Sequence, residues 1–306
     1  KKIAQKIGFP LILKAAAGGG GKGMRVVRSA AELEDQYVIA QHEAKAAFGH
    51  PSLYLEKYLP QARHIEIQVI GDKQGKVLAL VERECSIQRK YQKLLEETPS
   101  PFIDDKLRRR IMKSAQEAAQ AIGYQSLGTF EFLVDDRKKF YFMEANTRIQ
   151  VEHPITEMIY GIDLIKEQIK IAAGQKLSFP FELKSKGHSL ECRINAEDSE
   201  NFIPSPGKID FLVLPGGEGI RVDSAAYCGW NIPADYDSLV AKISAWAPSR
   251  QAAIKKMLTA LEMTTIAGIK TNIPLHLDIL SNSDFIKGHY DIHFLEKLLS
   301  SKKKRG

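Results

Sequence analysis

The stretch Phe140-Tyr141-Phe142-Met143-Glu144-Ala145-Asn146-Thr147-Arg148-Ile149-Gln150-Val151-Glu152-His153-Pro154 decides how this chain is read. Its first four residues are strand-like, and side chains alternate between the two faces of a strand. If the extended geometry continues, Glu144, Asn146, Arg148, Gln150 and Glu152 line one face. Five polar or charged groups in succession are expensive to bury and make sense mainly in a site.

Working outward, Gly128-Thr129-Phe130-Glu131-Phe132-Leu133-Val134 is a second strand by composition and alternation, and Asp135 to Lys139 form a polar turn. A hairpin in symmetric register sets Glu131 directly opposite Glu144. Two ionised carboxylates roughly 5 Å apart repel. A divalent cation between them removes the conflict, and Asn146, one same-face step on, supplies another oxygen. Oxygen-only ligands favour Mg²⁺ or Mn²⁺, which bind through carboxylates and nucleotide phosphates. The alternative is a solvated hairpin face with scattered charges.

Further upstream, Gly18-Gly19-Gly20-Gly21-Lys22-Gly23 lies between the strands Phe9–Lys14 and Met24–Val27. A Walker loop or a dinucleotide fingerprint feeds a helix, so both are excluded. Successive glycines leave backbone N–H groups free to wrap phosphate oxygens, as in a flap over a nucleotide, or they form a flexible linker. Lys14, on the strand entering this loop, could meet an α- or β-phosphate. The strand Leu53–Tyr58 carries the acid–base pair Glu56 and Lys57 near its end, where backbone and side-chain acceptors are able to read an adenine amino group, or it is merely a surface strand end. Gln88 to Lys93 is a donor-rich loop that requires an anion nearby if it is more than solvated.

The remaining elements follow from periodicity and punctuation. Ser29-x-x-Glu32 is a capping box for a helix to Phe48. Arg63–Ile70 and Lys76–Arg83 are paired strands. Leu107, Ile111, Ala115, Ala118 and Ile122 give an apolar stripe to a helix over 104–122 that Gly123 stops. A helix over 163–173 precedes the polar segment Leu177–Gly187, the best candidate domain boundary. Beyond it strands dominate, at 188–195, 207–213, 219–222 and 239–245, before helices return at 249–263, 274–280 and 293–299. In the first of these strands Leu190, Cys192 and Ile194 face inward, so Arg193 shares the other face with Glu191 and Asn195. It is either a surface ion-pair partner or an anion-stabilising arginine supplied by a second domain.

With 306 residues the chain suits two or three domains, and 44% apolar with 26% charged residues is ordinary for a globular protein. No apolar run approaches the ~20 residues of a membrane span, and no signal peptide is visible. Cys85, Cys192 and Cys228 suggest a reducing compartment rather than a disulfide framework or zinc site. The net charge of +7 comes partly from Lys302-Lys303-Lys304-Arg305, read as a disordered tail or linker. No nucleic-acid motif accompanies it, so phosphate-bearing small ligands are the favoured partners.

These residues resemble the biotin carboxylase component of biotin-dependent carboxylases. The matching stretches are KAAAGGGGKGMRVV at 14–27, EKYL at 56–59, RHIEIQ at 63–68, ECSIQRKYQKLLEE at 84–97, GTFEFL at 128–133, MEANTRIQVEHPITE at 143–157, ECRINAED at 191–198 and PSPGKI at 204–209. The last two separate this family from other ATP-grasp enzymes. The resemblance implies an α+β chain: a partial ATP-grasp lid over 1–59, an ATP-grasp core over 60–185, a biotin carboxylase C-terminal domain over 186–301 and a basic tail over 302–306. It implies that Lys14, Gly20, Gly21, Glu56, Lys57, Tyr58, Leu59, His64, Gln88 and Tyr91 bind ATP, and that Glu131, Glu144 and Asn146 hold Mg²⁺ or Mn²⁺. Lys93, Arg148, Gln150 and Val151 would position bicarbonate, Glu152 would be the general base, and Arg193 would stabilise the biotin enolate.

It also implies a biotinylated carrier protein or domain and a carboxyltransferase as partners, a homodimer, and a cytoplasmic or, in a eukaryote, mitochondrial-matrix location. The family carries an N-terminal domain and a further ATP-binding lysine ahead of the stretch matched here. Tyr91 stands where the family often has His or Asn. Glu218 stands where some members place an apolar dimer residue. The competing readings are another ATP-grasp ligase that makes an acyl phosphate, and a non-catalytic nucleotide-binding module.

Overall fold

The computed structural model describes residues 1–17, 23–180 and 183–303, and they fall into two compact units. The first comprises residues 1–62 together with 88–92, and the second comprises 63–87 and the described residues from 93 onward. Among the described residues no helix is long and apolar enough to cross a membrane.

In the first unit α1 (Lys2–Ile7) leads into β1 (Leu11–Ala15), the centre of an antiparallel sheet flanked by β2 (Arg25–Val27) and β3 (Leu53–Lys57). The glycines at 18–21 lie outside the described residues. Helix α2 (Leu33–Phe48) packs Leu33 and Ala40 against Leu11, Leu13 and Val27. The expected capping box is displaced. Glu32 does accept from the Arg28 N–H at 3.1 Å and from the Ser29 hydroxyl at 3.3 Å, but turn residues intervene and the helix opens only at Leu33. Gly49 ends it in the left-handed region, φ 73°, where a side chain would be strained.

The second unit is built on strands β4 (Ala62–Gly71), β5 (Val77–Ala79), β6 (Arg83–Arg89) and β7 (Gln92–Thr98), then α3 (Asp105–Ala121), β8 (Ser126–Asp135), β9 (Phe140–Asn146), α4 (His153–Tyr160) and α5 (Leu164–Ala172). It continues with β10 (His188–Asn195), β11 (Gly207–Lys208), β12 (Phe211–Val213), β13 (Ile220–Ser224), β14 (Asn231–Ile232) and β15 (Leu239–Ala247). The chain closes with α6 (Arg250–Glu262), β16 (Thr265–Ala267), α7 (Ile273–Ser281), α8 (Ser283–Ile286) and α9 (Phe294–Lys303). One nine-stranded sheet runs β13-β15-β10-β7-β6-β4-β8-β9, with β5 paired to β4.

Helix α3 starts where expected, with the Asp104 carboxylate accepting from Leu107 N–H at 2.9 Å. Its buried stripe is Leu107, Ile111, Ala115 and Ala119, packed on Ile65, Ile67, Phe130 and Phe132. The stripe thus turns to Ala119 in place of the expected Ala118, and Ile122, just past the helix end, is 68% exposed.

Two expectations change shape. The expected loop at 88–93 is instead the tip of a hairpin: Lys90 and Tyr91 take positive φ values of 47° and 67° between β6 and β7. Such a two-residue turn normally announces itself with Asn-Gly, and this one carries neither. The expected basic tail begins inside α9. Lys302 pairs with Asp278, placing its cation in the last helical turn, while residues 304–306 lie outside the described residues. After the candidate boundary at 177–187 the chain re-enters the same sheet. Strand β10 pairs with β7 from Ser189↔Thr98 to Cys192↔Leu95, and Ile87, Leu94 and Leu95 share one core with Leu190, Ile243, Met257 and Phe285.

Candidate active site

The β8–β9 hairpin sets the first part of the site. Near its turn the register is Val134↔Phe140 and Phe132↔Phe142; it then slips, giving Glu131↔Glu144 and Thr129↔Asn146. Met143 is the extra residue. With strict alternation Glu144 would share the face of Phe142, which packs edge-on against Phe130 and Phe132. The bulge re-aims Glu144 and Asn146 onto the face of Glu131. The expected opposition of Glu131 and Glu144 therefore exists, through an irregularity rather than a symmetric hairpin.

The expected row of five does not. The strand stops at Asn146, and Glu152 is the residue that precedes the first turn of α4, with φ −82° and ψ 9°. Arg148 and Gln150 lie on the connection, where Arg148 Nη1 donates to Gln150 Oε1 at 3.2 Å. The Val151 carbonyl accepts from Lys242 Nζ at 2.8 Å.

Turning the chain there carries Glu152 into a buried charge cluster. Lys93 of β7 sets its ammonium 2.6 Å from Glu66, 2.7 Å from Glu152 and 2.9 Å from Glu131. Arg193 of β10 holds the other oxygen of Glu152 at 2.9 Å and grips Glu96 through Nη2 at 2.5 Å and Nε at 2.7 Å. His64 Nε2 lies 3.1 Å from Glu131 Oε2, and Asn146 donates to Glu131 Oε1 at 3.1 Å. Beneath them Arg83, wholly buried, is held by Glu66, by Gln68 and Thr156 at 2.8 and 2.9 Å, and by Thr129 at 3.2 Å.

Charges in this cluster are set by competition. Burial pushes the Glu152 carboxyl up, but Lys93, Arg193 and Arg83 outweigh it and hold the group well below the carboxylate range. Burial likewise opposes ionisation of Glu131, and His64 with Lys93 brings it down to about 2. Glu66 goes the other way: burial dominates and raises it. Burial would discharge Lys93, yet Glu66 and Glu152 hold its pKa well above the lysine range.

The donor set suits a hard divalent cation. Glu131 is ionised, Glu144 faces it across the bulge, and the Asn146 amide oxygen is not used in the bond to Glu131. Two further trios with metal-ligand atoms within 4.8 Å of one another are His64, Glu66 and Glu131, and Glu66, Cys85 and Glu152. The Lys93 ammonium touches carboxylates of both.

In the first unit Lys14 pairs with Glu56 at 2.5 Å. Lys57 donates to the carbonyls of Gly8 and Phe9 at 3.0 Å each, so it pins the turn between α1 and β1. Tyr58 N–H bonds the Pro10 carbonyl at 3.2 Å, with Leu59 following. Gln88 and Tyr91 belong to the hairpin tip grouped with this unit, and Gly20 and Gly21 lie outside the described residues. Site residues the sequence reading missed are Glu66, Gln68, Arg83, Glu96 and Lys242. A signal existed for two of them: His64, Glu66 and Gln68 alternate with Ile65, Ile67 and Val69, and a strand buried at all ten positions turns such a polar face into a site.

A hairpin of opposed carboxylates beside a buried lysine and arginine, on one antiparallel sheet, has the chemistry to hold a divalent cation and an anionic ligand together. The family described as "Carbamoyl-phosphate synthase L chain, ATP binding domain" matches residues 1–179, and "Biotin carboxylase C-terminal domain" matches 191–297. The chain is 53% identical over 300 residues to a biotin carboxylase of Haemophilus influenzae, covering 98% of this chain and 67% of that protein. To a biotin carboxylase of Bacillus subtilis it is 52% identical over 297 residues, covering 96% and 66%. A biotin carboxylase–β-γ-ATP complex from Campylobacter jejuni superposes with a TM-score of 0.94 at 51% identity, covering 97% of this chain and 66% of that one. The chain belongs to the biotin carboxylase family, with an ATP-grasp domain followed by a biotin carboxylase C-terminal domain. It spans about two thirds of the length of these biotin carboxylases.

Proposed function

We propose that this chain performs the first half-reaction of a biotin-dependent carboxylase, the ATP- and bicarbonate-dependent carboxylation of the biotin ureido nitrogen. The observation that carries the reading is Glu152, an ionised carboxylate with one oxygen on Lys93 and the other on Arg193. Bicarbonate entering beside Lys93, Arg148 and Gln150 draws the lysine ammonium toward itself. Each cation that turns from Glu152 to a ligand raises the proton affinity of that carboxylate, so substrate binding itself makes Glu152 a better base. Glu152 takes the bicarbonate proton, and the resulting dianion attacks the γ-phosphate of ATP, expelling ADP and forming carboxyphosphate. Carboxyphosphate decomposes to CO₂ and phosphate, phosphate removes the ureido proton, and the deprotonated nitrogen attacks CO₂ to give carboxybiotin. Arg193 then stabilises the negative charge on the biotin oxygen, which appears only in this second stage. Glu131, Glu144 and Asn146 are the residues to hold Mg²⁺, which when bound neutralises the nucleotide phosphates.

The lid, core and C-terminal divisions at 1–59, 60–185 and 186–301 are assigned on the same reading. Lys14, the segment from Glu56 to Leu59, His64, Gln88 and Tyr91 are assigned to ATP on that reading as well. A biotinylated carrier and a carboxyltransferase are the partners that this half-reaction requires. The test is a paired assay of phosphate release and carboxybiotin formation from free biotin, on the polypeptide as its gene encodes it. Bicarbonate-dependent ATP cleavage coupled to biotin carboxylation supports the reading; ATP cleavage indifferent to bicarbonate and biotin overturns it.

A further inference from the structure

Behind Arg193 lies a second pair of acids that the mechanism does not use. Glu96 of β7 and Glu191 of β10 are direct cross-strand partners, and both are wholly buried. Each has one satisfied oxygen. Glu96 Oε1 accepts from Arg193, and Glu191 Oε2 from the Ser244 hydroxyl at 2.8 Å. Each also has one buried oxygen, Glu96 Oε2 and Glu191 Oε1, with no hydrogen-bond partner. Two unpartnered carboxylate oxygens on opposed, fully buried side chains are costly if both groups are ionised.

We propose that Glu96 and Glu191 hold a single proton between them at neutral pH, carried on Glu191, and that Glu191 is thereby a positioning residue that sets how much of the Arg193 charge remains for the biotin oxygen. The physical reason is local charge balance. With Glu191 neutral, the guanidinium of Arg193 faces two carboxylates, Glu96 and Glu152. Loss of the proton adds a third negative group on the same side and spends more of the arginine's charge inside the protein. The charged groups acting on the pair are Arg193 from β10, Lys93 from β7, Lys242 from β15 and Glu152 at the start of α4, and the thiols of Cys85 from β6 and Cys192 from β10 feel its charge. Burial followed by the charge on Glu96 pushes Glu191 up to about 8, and burial also raises Glu96, to about 7. The consequence for rate rests on the reaction proposed above; the shared proton does not.

Infrared difference spectroscopy tests the proton without any substrate. The parent should show the C=O band of a neutral carboxylic acid at neutral pH, lost as pH rises through about 8, and Glu191→Gln should lack that contribution. In Glu96→Gln the band should remain but its loss should move to lower pH, because the neighbouring negative charge is gone. A band missing altogether from Glu96→Gln would put the proton on Glu96 and overturn the assignment to Glu191. Identical spectra for the parent and Glu191→Gln, or an unshifted transition in Glu96→Gln, overturn the pair. In the half-reaction assays Glu191→Gln should keep biotin carboxylation within about threefold at neutral pH and flatten its alkaline decline, with the pH profile of ATP cleavage unchanged. An alkaline decline equal to the parent's overturns the positioning role, even where the spectra support the proton.

Discussion

At the residue scale the site is a balance of buried charges, and its members have separable roles. Arg193→Ala should lower biotin carboxylation by about 10²–10³-fold, the range for losing one charge contact to a developing oxyanion, while bicarbonate-dependent ATP cleavage falls much less. Glu152→Gln should depress both, because no carboxyphosphate forms without the base. Equal losses in Arg193→Ala, read in the paired assay, would reverse these assignments. Lys93 has a structural role as well. Lys93→Met removes the cation shared by Glu66, Glu131 and Glu152 and should cost about 3–5 kcal/mol of stability in urea unfolding. Added Mg²⁺ should then raise the Tm of this variant more than that of the parent, since the carboxylates have lost their internal counter-ion. Of these residues, the opposition of Glu131 and Glu144 was legible from two strands and a turn. Glu152 was legible as a site residue but not as a partner of both Lys93 and Arg193, because contacts separated by 41 and 59 positions leave no trace in local periodicity.

At the element scale, helix α3 with its Asp104 cap was legible because capping and apolar spacing are local. The Met143 bulge and the Lys90-Tyr91 turn were not. A bulge is decided by which register buries Phe130 and Phe132, and a turn without Gly or Asn is imposed by the strands on either side of it. Close approaches between elements give a direct test. A Cβ on Gly71, at the end of β4, would lie 2.1 Å from the backbone carbonyl of Tyr124, just past α3. Backbone cannot move aside as a side chain can, so Gly71→Ala should cost on the order of 3 kcal/mol in equilibrium unfolding. Gly75→Ala, which meets nothing within 4 Å but sits at φ 85°, should cost less.

At the scale of the second unit, one acid joins its own strand to a second strand, a helix and the segment ahead of the last helix. Glu97 of β7 accepts from His188 of β10 at 2.7 Å, from Arg250 of α6 at 2.6 and 2.9 Å, and from the Tyr290 hydroxyl ahead of α9. Burial opposes its ionisation, yet His188 and Arg250 bring it down to about 2. A carboxyl depressed in the folded state contributes stability that is full above its unfolded pKa and is lost as pH falls through the folded value. The stability gap between parent and Glu97→Gln should therefore narrow as pH falls from about 6 toward about 3, from an initial size of about 3 kcal/mol. Chemical denaturation across that range checks it, and a gap independent of pH would remove Glu97 from this role.

The pairing of β7 with β10 has one more consequence. Lys93 and Arg193, which serve the two stages of the proposed reaction, are riveted to adjoining strands of a single sheet. The strands hold one spacing, and only the side chains can turn between partners. On the proposed reaction, biotin would come to this one frame after carboxyphosphate has formed and would leave it carboxylated.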